Sequence, residues 1–454
     1  MGSTSHRNLV PCLLAILLLP LTGHAGEIPL TPRQMREDLS VLKQQWAPLD
    51  KSFSPDQRQA FERHVTSIES TIGQLTAEAF AMEIMRSVAI ARNGHTNANI
   101  GAFLGGDLPI RMWWFADGLY VVKAHPDYAR LLGARVEKIG SLTAAEAEKR
   151  LKPYLAGTDQ RIRFLGPGYL VTPRVLQHIG VIDSTTKTPL TLDLGHGTLE
   201  TVYLPIGGED PGDERRMGLN RGYSVLIPDA DEVAGRWPHV LDPLKTRPRL
   251  YTRRGDVTAS FLDDGKTTLY IRNDTARSID DTSLVEKFAG IIHRDILPFQ
   301  PGHIVVDLRL NNGGDFFNSI LFAQALPRLL PDRGRISVLV GRATFSAGIV
   351  TAALIKGSGG EKVSLIGERM GDGGQFWAEG DKITLPNSRI SVRYSSEFED
   401  YEQGCNDVRT CYWATVAFGS RNISLAPDIP VDLSFSDYVS GRDPVLEKAL
   451  ELER

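Results

Sequence analysis

Ser346 lies in the run Val338-Leu339-Val340-Gly341-Arg342-Ala343-Thr344-Phe345-Ser346-Ala347-Gly348, where an apolar strand pattern gives way to an alanine-rich helix pattern. A hydroxyl at that junction suits nucleophilic chemistry. The first N–H groups of a helix lack partners inside it and can stabilise negative charge developing beside the serine. Serine also caps helices without doing chemistry, so the residue needs company before it means anything. Company comes from Asp307-Leu308-Arg309-Leu310-Asn311-Asn312-Gly313-Gly314-Asp315, where the buried strand pattern 304–308 runs into paired glycines whose backbone can approach a substrate closely. Two strand ends and one serine suggest a hydrolase.

The elements that must position these residues alternate along the second half of the chain. Strand patterns at 268–271, 304–308, 336–340 and 363–366 are separated by helical ones at 281–296, through Ile320 and Ala323, and after Ser346. That rhythm predicts an α/β core with a mostly parallel sheet, in which ligands bind at the carboxyl ends of strands. Three helices are expected to open the mature chain. Thr31-Pro32-Arg33-Gln34 and Ser54-Pro55-Asp56-Gln57 have the form of capping boxes with proline in the first turn, and Thr76 starts a third helix that Asn93-Gly94 stops. Between 108 and 205 the pattern changes to short strands around a helix capped by Thr143 and Glu146, a composition suited to binding extended peptides at a sheet edge or to serving as a spacer. The Gly-, Pro- and charge-rich stretch 207–248 reads as a connector.

At 454 residues the chain is long enough for two or three domains. A net charge of -4 with mixed signs leaves no basic stripe for nucleic acid. The start reads as an export signal: His6 and Arg7 precede a short apolar run, and Gly23-His24-Ala25 offers a cleavage point before Gly26. The run is short for a membrane span, so no membrane association is expected beyond signal-directed export to a periplasmic or secreted location. Cys12 leaves with the signal, and Cys405 and Cys411 are free to close a loop in an oxidising compartment or to remain thiols. No Cys or His spacing suggests a metal, and no cofactor is expected.

The runs 307–314, Thr344-Phe345-Ser346-Ala347, Ile366-Gly367-Glu368-Arg369-Met370-Gly371 and Pro427-Asp428-Ile429, with Gly94-His95-Thr96 near the start, resemble the tail-specific, or carboxyl-terminal processing, serine peptidases. The resemblance implies an α/β core like those of crotonase and the caseinolytic protease. It also implies domains at 1–25 (signal), 26–100 (helical), 101–206 (a small β-rich PDZ-like module), 207–248 (connector) and 249–454 (peptidase core). Better-known members use a Ser–Lys dyad whose lysine lies in a Gly-Lys-Gly loop. Here that loop reads Gly371-Asp372-Gly373, and Lys356, ten helical residues on, would stand roughly 15 Å from Ser346.

His95 is therefore the candidate base, an imidazole placed just after a helix stop, as in the tricorn-like branch. Its orienting acid is sought in Ser395-Ser396-Glu397-Phe398-Glu399-Asp400, with Glu397 first and Glu399 beside it. The N–H groups of Gly313 and Ala347 would hold the oxyanion, while Asp307, Arg309 and Gly314 would support the loop. Peptides or unfolded proteins are the implied substrates, and the oligomeric state is left open. Two other readings stand: a catalytically silent peptide-binding relative, favoured by the missing lysine and by Ile349 where many relatives carry glutamate, and a crotonase-like acyl-CoA enzyme.

Overall fold

The computed structural model describes residues 29–195, 197–208, 210, 224–230, 233–252 and 255–452. The expected leader, 1–25, lies outside the described residues. The helices Pro32–Val41, Pro55–Thr71 and Ala77–Ala89 begin where the caps require. Thr31 and Ser54 each accept from the N–H three residues on and close a full capping box, and Thr76 accepts from Ala79. Their apolar stripes, including Trp46, Phe61 and Phe80, are fully buried. After the first helix the chain widens into a π turn at Leu42–Trp46, and the helix beginning at Leu284 does the same at Ile292–Ile296. In both cases a proline, Pro48 or Pro298, follows two residues after the turn. Proline has no N–H to continue the ladder and crowds the carbonyl behind it, which accounts for the widening.

The middle of the chain forms an antiparallel sheet in the order Ile110–Phe115, Gly118–Ala124, Arg135–Ile139, Thr188–Asp193, Leu199–Leu204, with Leu142–Thr143 pairing off this path. Its helices are Ala144–Leu151, with the Thr143–Glu146 capping box, and Asp159–Leu170. One apolar cluster runs from the opening helices through this module and on to Leu385, Ile390 and Val392, so the expected boundary at 100/101 separates no independent cores.

The six-stranded core sheet has the order Ile429–Pro430, Val363–Gly367, Arg335–Val340, His303–Asp307, Thr268–Asn273, Val257–Phe261. All neighbours are parallel except the last pair. Strands buried on both faces read as continuous apolar runs, which is why they were legible. The edge strand Val257–Phe261 is mixed and half-buried, and nothing in its pattern announced it.

The stretch expected to be a connector is packed rather than merely spanning. Val225, Leu226, Ile227 and Leu241 join Trp113 and Phe115 of the module and Tyr438 near the carboxyl end in one cluster. Tyr438 donates to the Leu226 carbonyl at 2.8 Å. A composition rich in glycine and charge masked a few anchors whose burial ties the module to the core. Residues 224–226 form a 3₁₀ turn.

Candidate active site

Ser346 heads the helix Ala347–Gly359, directly after the loop that leaves the Arg335–Val340 strand. Its backbone sits at φ 53°, ψ -125°, a conformation that side chains disfavour and that marks sites where the surrounding fold imposes strain. The fold imposes it by fastening both flanks. Phe345 N–H donates to the Asn311 carbonyl at 2.9 Å, Val350 N–H to the Ser346 carbonyl at 3.1 Å, and Thr344 Oγ1 to the Leu308 carbonyl at 2.8 Å. The Ser346 hydroxyl is half-buried and makes no hydrogen bond to a described residue. Ala347 N–H is likewise left over, as expected in a first helical turn.

The glycine loop lies against the serine. A Cβ on Gly313 would stand 2.7 Å from Ser346 Cβ and 3.3 Å from its Oγ, and the residue's φ is +106°, so only glycine fits. Its N–H, however, donates to Asn311 Oδ1 at 3.0 Å. The network fixes that choice: Asn273 Nδ2 donates to the carbonyls of Asp256 and Thr275, leaving its Oδ1 to accept from Asn311 Nδ2 at 2.6 Å, which turns Asn311 Oδ1 toward Gly313. In this conformation Gly313 N–H is occupied, contrary to its expected role as an oxyanion donor. Gly314 N–H has no partner among the described residues.

Asp307 and Arg309 brace the loop. Arg309 bridges Asp307 and Asp443 with two bonds to each carboxylate, and Tyr270 donates to Asp307 at 2.7 Å. Burial is the largest influence on the Asp307 carboxyl and raises it, but the Arg309 charge and the hydrogen bonds from Arg309 and Tyr270 together outweigh it and hold the group below its ordinary value. Asp443 also caps the helix Pro444–Glu451, so the carboxyl end of the chain is tied into the same support.

His95 is buried, its ring stacked between Phe345 at 4.5 Å and Phe376 at 5.3 Å. Residues on either side pin its backbone. Thr96 Oγ1 donates to Asp50 Oδ2 at 2.7 Å, Asn93 Nδ2 bonds Ser395 Oγ at 2.9 Å, and Ser395 N–H donates to Asp50 at 3.0 Å. The structure thus brings His95 against the residue preceding Ser346. Neither ring nitrogen has a hydrogen-bond partner among the described residues, so no bond joins His95 to Ser346. Burial pushes its pKa down to about 3, with the charges of Arg161 and Arg393 adding to the effect. Gly94 has a steric reason: a Cβ there would lie 2.8 Å from the Phe345 ring, itself covered on another side by Arg161 at 3.8 Å.

Of the two candidate acids, Glu399 is buried and Glu397 half-exposed. Glu399 faces Phe376 across the strand pair Gln375–Ala378 and Glu397–Asp400, and Phe376 is the ring stacked on His95. Burial pushes the Glu399 carboxyl up to about 8 despite the hydrogen bond from Tyr401, with Glu379 adding to the rise. Asp372, in the loop 371–374, is half-buried, and burial raises its carboxyl to about 6, opposed by the Gly373 N–H and Arg161. Lys356 is held by both carboxylate oxygens of Asp428 at 2.6 Å.

Sequence reasoning missed Arg161, Phe345, Phe376, Asn273 and Asp50. Only tertiary contact assigns them to the site, although Asn311-Asn312 and Asn93-Gly94 lay beside residues already singled out. A larger cleft of about 880 Å³ opens between the module and the Gly367 strand end, but no serine, cysteine or histidine lines it.

No family model matches the sequence, and no curated protein matches it. Solved structures do. The chain is similar to mature CPAF complexed with lactacystin, with TM-score 0.56 at 13% identity, covering 93% of this chain and 98% of that one. It is similar to a serine-to-alanine mutant of CPAF, with TM-score 0.58 at 12% identity over 93% and 96%. A weaker likeness, TM-score 0.37 at 12% identity over 88% and 93%, extends to the photosystem II D1 C-terminal processing protease. The chain shares the CPAF fold.

Proposed function

We propose that this protein is an exported serine peptidase that hydrolyses peptides or unfolded proteins through an acyl-enzyme on Ser346. The observation that carries the reading is the strained Ser346 at a helix head, with His95 stacked on the residue before it. In the reaction Ser346 Oγ adds to the scissile carbonyl and passes its proton to His95. Ala347 N–H and a freed N–H of the 313–314 loop hold the oxyanion. The C–N bond then breaks as the proton moves to the leaving amine, and water hydrolyses the ester by the same path. Glu399 is the acid we assign to His95, in preference to Glu397, for its burial and its register with Phe376. The core is read as crotonase-like and the module as PDZ-like. Export accords with the Cys405–Cys411 disulfide.

A second reading, a silent peptide-binding relative, draws on the unpartnered His95 ring and its low basicity. A fluorophosphonate separates the two. Labelling of the wild-type protein that disappears in Ser346→Ala and falls sharply in His95→Ala supports the peptidase; labelling that Ser346→Ala leaves in place rejects it.

A further inference from the structure

The antiparallel sheet of the module ends on the strand Leu199–Leu204, and no described strand pairs with its outer edge. Its inner edge is taken by Thr188–Asp193, in the register Pro189 with Tyr203, Thr191 with Thr201 and Asp193 with Leu199. Pro189 turns its carbonyl the other way, toward the Gly140 N–H at 2.8 Å, so its pair with Tyr203 is one without backbone bonds. By the alternation of an antiparallel ladder, the N–H and C=O groups of Leu199, Thr201 and Tyr203 all point outward from the sheet. The side chains of the same three residues share one face and are exposed, Leu199 at 58% and Tyr203 at 63%, while Val202 and Leu204 are buried on the other. Such an edge is a template for a further strand, and native edges are guarded against it by lysine, proline or a bulge. This one has none of the three. Its pairing with Thr188–Asp193 is continuous, its one charged residue, Glu200, already accepts two bonds from Arg130, and the nearest proline, Pro205, lies beyond its end.

We propose that the strand Leu199–Leu204 is a dimerisation edge, occupied by the same strand of a second copy of this chain, antiparallel about a two-fold axis at Thr201. The strand is complementary to itself in that register. Thr201 meets Thr201 of the partner subunit, and Leu199 and Tyr203 meet the partner's Tyr203 and the partner's Leu199. All three outward residues are then paired, each pair exchanging two N–H···O=C bonds, and a shift of register in either direction leaves at least one of them out. An aromatic side chain faces an aliphatic one at both ends, a favourable cross-strand pair. No like charges meet, because Glu200 falls opposite the partner's Val202. Pro205, which has no N–H, falls opposite the partner's Gly197 and closes the ladder at each end. A two-fold contact requires this self-complementarity, whereas an unrelated peptide would satisfy the backbone groups alone. A ladder this short buries little surface, so the dimer dissociates, with a Kd of micromolar order.

The test is sedimentation velocity of the full mature chain from about 1 to 200 µM, where a reversible monomer–dimer equilibrium is expected. Two double variants at the exposed positions then read the register. Leu199→Lys with Tyr203→Lys sets lysine against lysine at both ends and should weaken the dimer by about tenfold or more. Leu199→Lys with Tyr203→Glu sets lysine against glutamate at the same two places and should restore it. Unchanged thermal midpoints show that both variants fold. Cys405 and Cys411 are bonded to each other, so Thr201→Cys brings a free thiol. On the two-fold axis its Cα stands about 5.5 Å from its counterpart, within disulfide range, and oxidation should cross-link the dimer. Leu199→Cys, displaced along the strand, should not cross-link. A chain that stays monomeric to the highest concentration overturns the proposal. If hydrogen exchange at 199–203 then slows on adding an unstructured peptide, the edge belongs to a peptide instead. A dimer that survives the paired lysines also overturns it, because the copies then meet elsewhere. None of these readouts uses Ser346, so the outcome is separate from that of the peptidase reading.

Discussion

Phe376 and Glu399 are direct cross-strand neighbours, so their side chains leave the same face of the strand pair, and the Phe376 ring lies 5.3 Å from that of His95. The relationship sets a buried carboxyl and a buried imidazole against the same aromatic residue, Phe376. Both lean toward neutrality: the acid is pushed up to about 8 and the base down to about 3.

Opposite pH trends in stability and activity follow. The Glu399 carboxyl titrates near 4.5 when unperturbed and near 8 when folded, so the folded state holds an extra proton between those values. Its contribution to stability is therefore fully present below pH 4.5 and is lost as pH rises through about 8. Activity, if the carboxylate must support the imidazolium, rises over the same upper range, with an apparent pKa that belongs to the interacting pair. Denaturant titrations and kcat/KM profiles from pH 5 to 9 are the measurement. Glu399→Gln should flatten the stability profile above pH 6 while lowering activity at every pH; an unchanged rate in that variant would return the role to Glu397.

Strain at Ser346 is measurable apart from catalysis. Glycine tolerates φ 53°, ψ -125° and alanine does not. Ser346→Gly should stabilise the protein by about 1 kcal/mol, the strain relieved less the entropy glycine loses on folding. Ser346→Ala should show no such gain, and both should be inactive. Equal unfolding midpoints for the two variants would contradict the strain.

Gly313 makes the complementary case. Alanine there would put a methyl 2.7 Å from Ser346 Cβ and 3.2 Å from the Phe345 carbonyl, in a backbone region closed to it. Positive φ and overpacking together predict a loss of roughly 2–5 kcal/mol. Activity should fall by more than about 100-fold, because the displaced loop and serine no longer hold the geometry the reaction needs. Gly290→Ala, in the helix Leu284–Ile291 where nothing lies within 4 Å of the added methyl, is the control and should leave activity unchanged while raising stability by about 0.5–1 kcal/mol.

What the residues disclosed in advance divides along physical lines. Four of the core strands were legible because parallel strands buried on both faces demand unbroken apolar runs, as at 304–308 and 336–340. The capping boxes at Thr31, Ser54 and Thr143 are local chemistry and formed as written. The strands Gln375–Ala378 and Glu397–Asp400 are four residues long, with charged or exposed positions, and carry no period to read. The aromatic walls around His95 depend on Phe345 and Phe376 arriving from distant elements, and no local pattern states that. Gly313 was marked by its neighbours, whereas the direction of its N–H depends on the Asn273–Asn311 chain of amides, which only the assembled loop reveals.

Lys356 provides a last separation between mechanisms. It stands on the serine helix, and its ammonium is held by both oxygens of Asp428, one of which, Oδ2, also accepts from the Leu365 N–H at 2.7 Å. An amine so engaged is committed to the carboxylate rather than to Ser346. Lys356→Met should leave the fluorophosphonate labelling rate of Ser346 within about twofold of wild type and cost no more than about 1 kcal/mol, the range of a partly exposed ion pair. His95→Ala, measured beside it, should slow labelling by about 100-fold or more. The opposite pattern, slow labelling in Lys356→Met and normal labelling in His95→Ala, would mean that a lysine activates the serine despite its salt bridge, and that the imidazole enclosed by Phe345 and Phe376 serves packing alone.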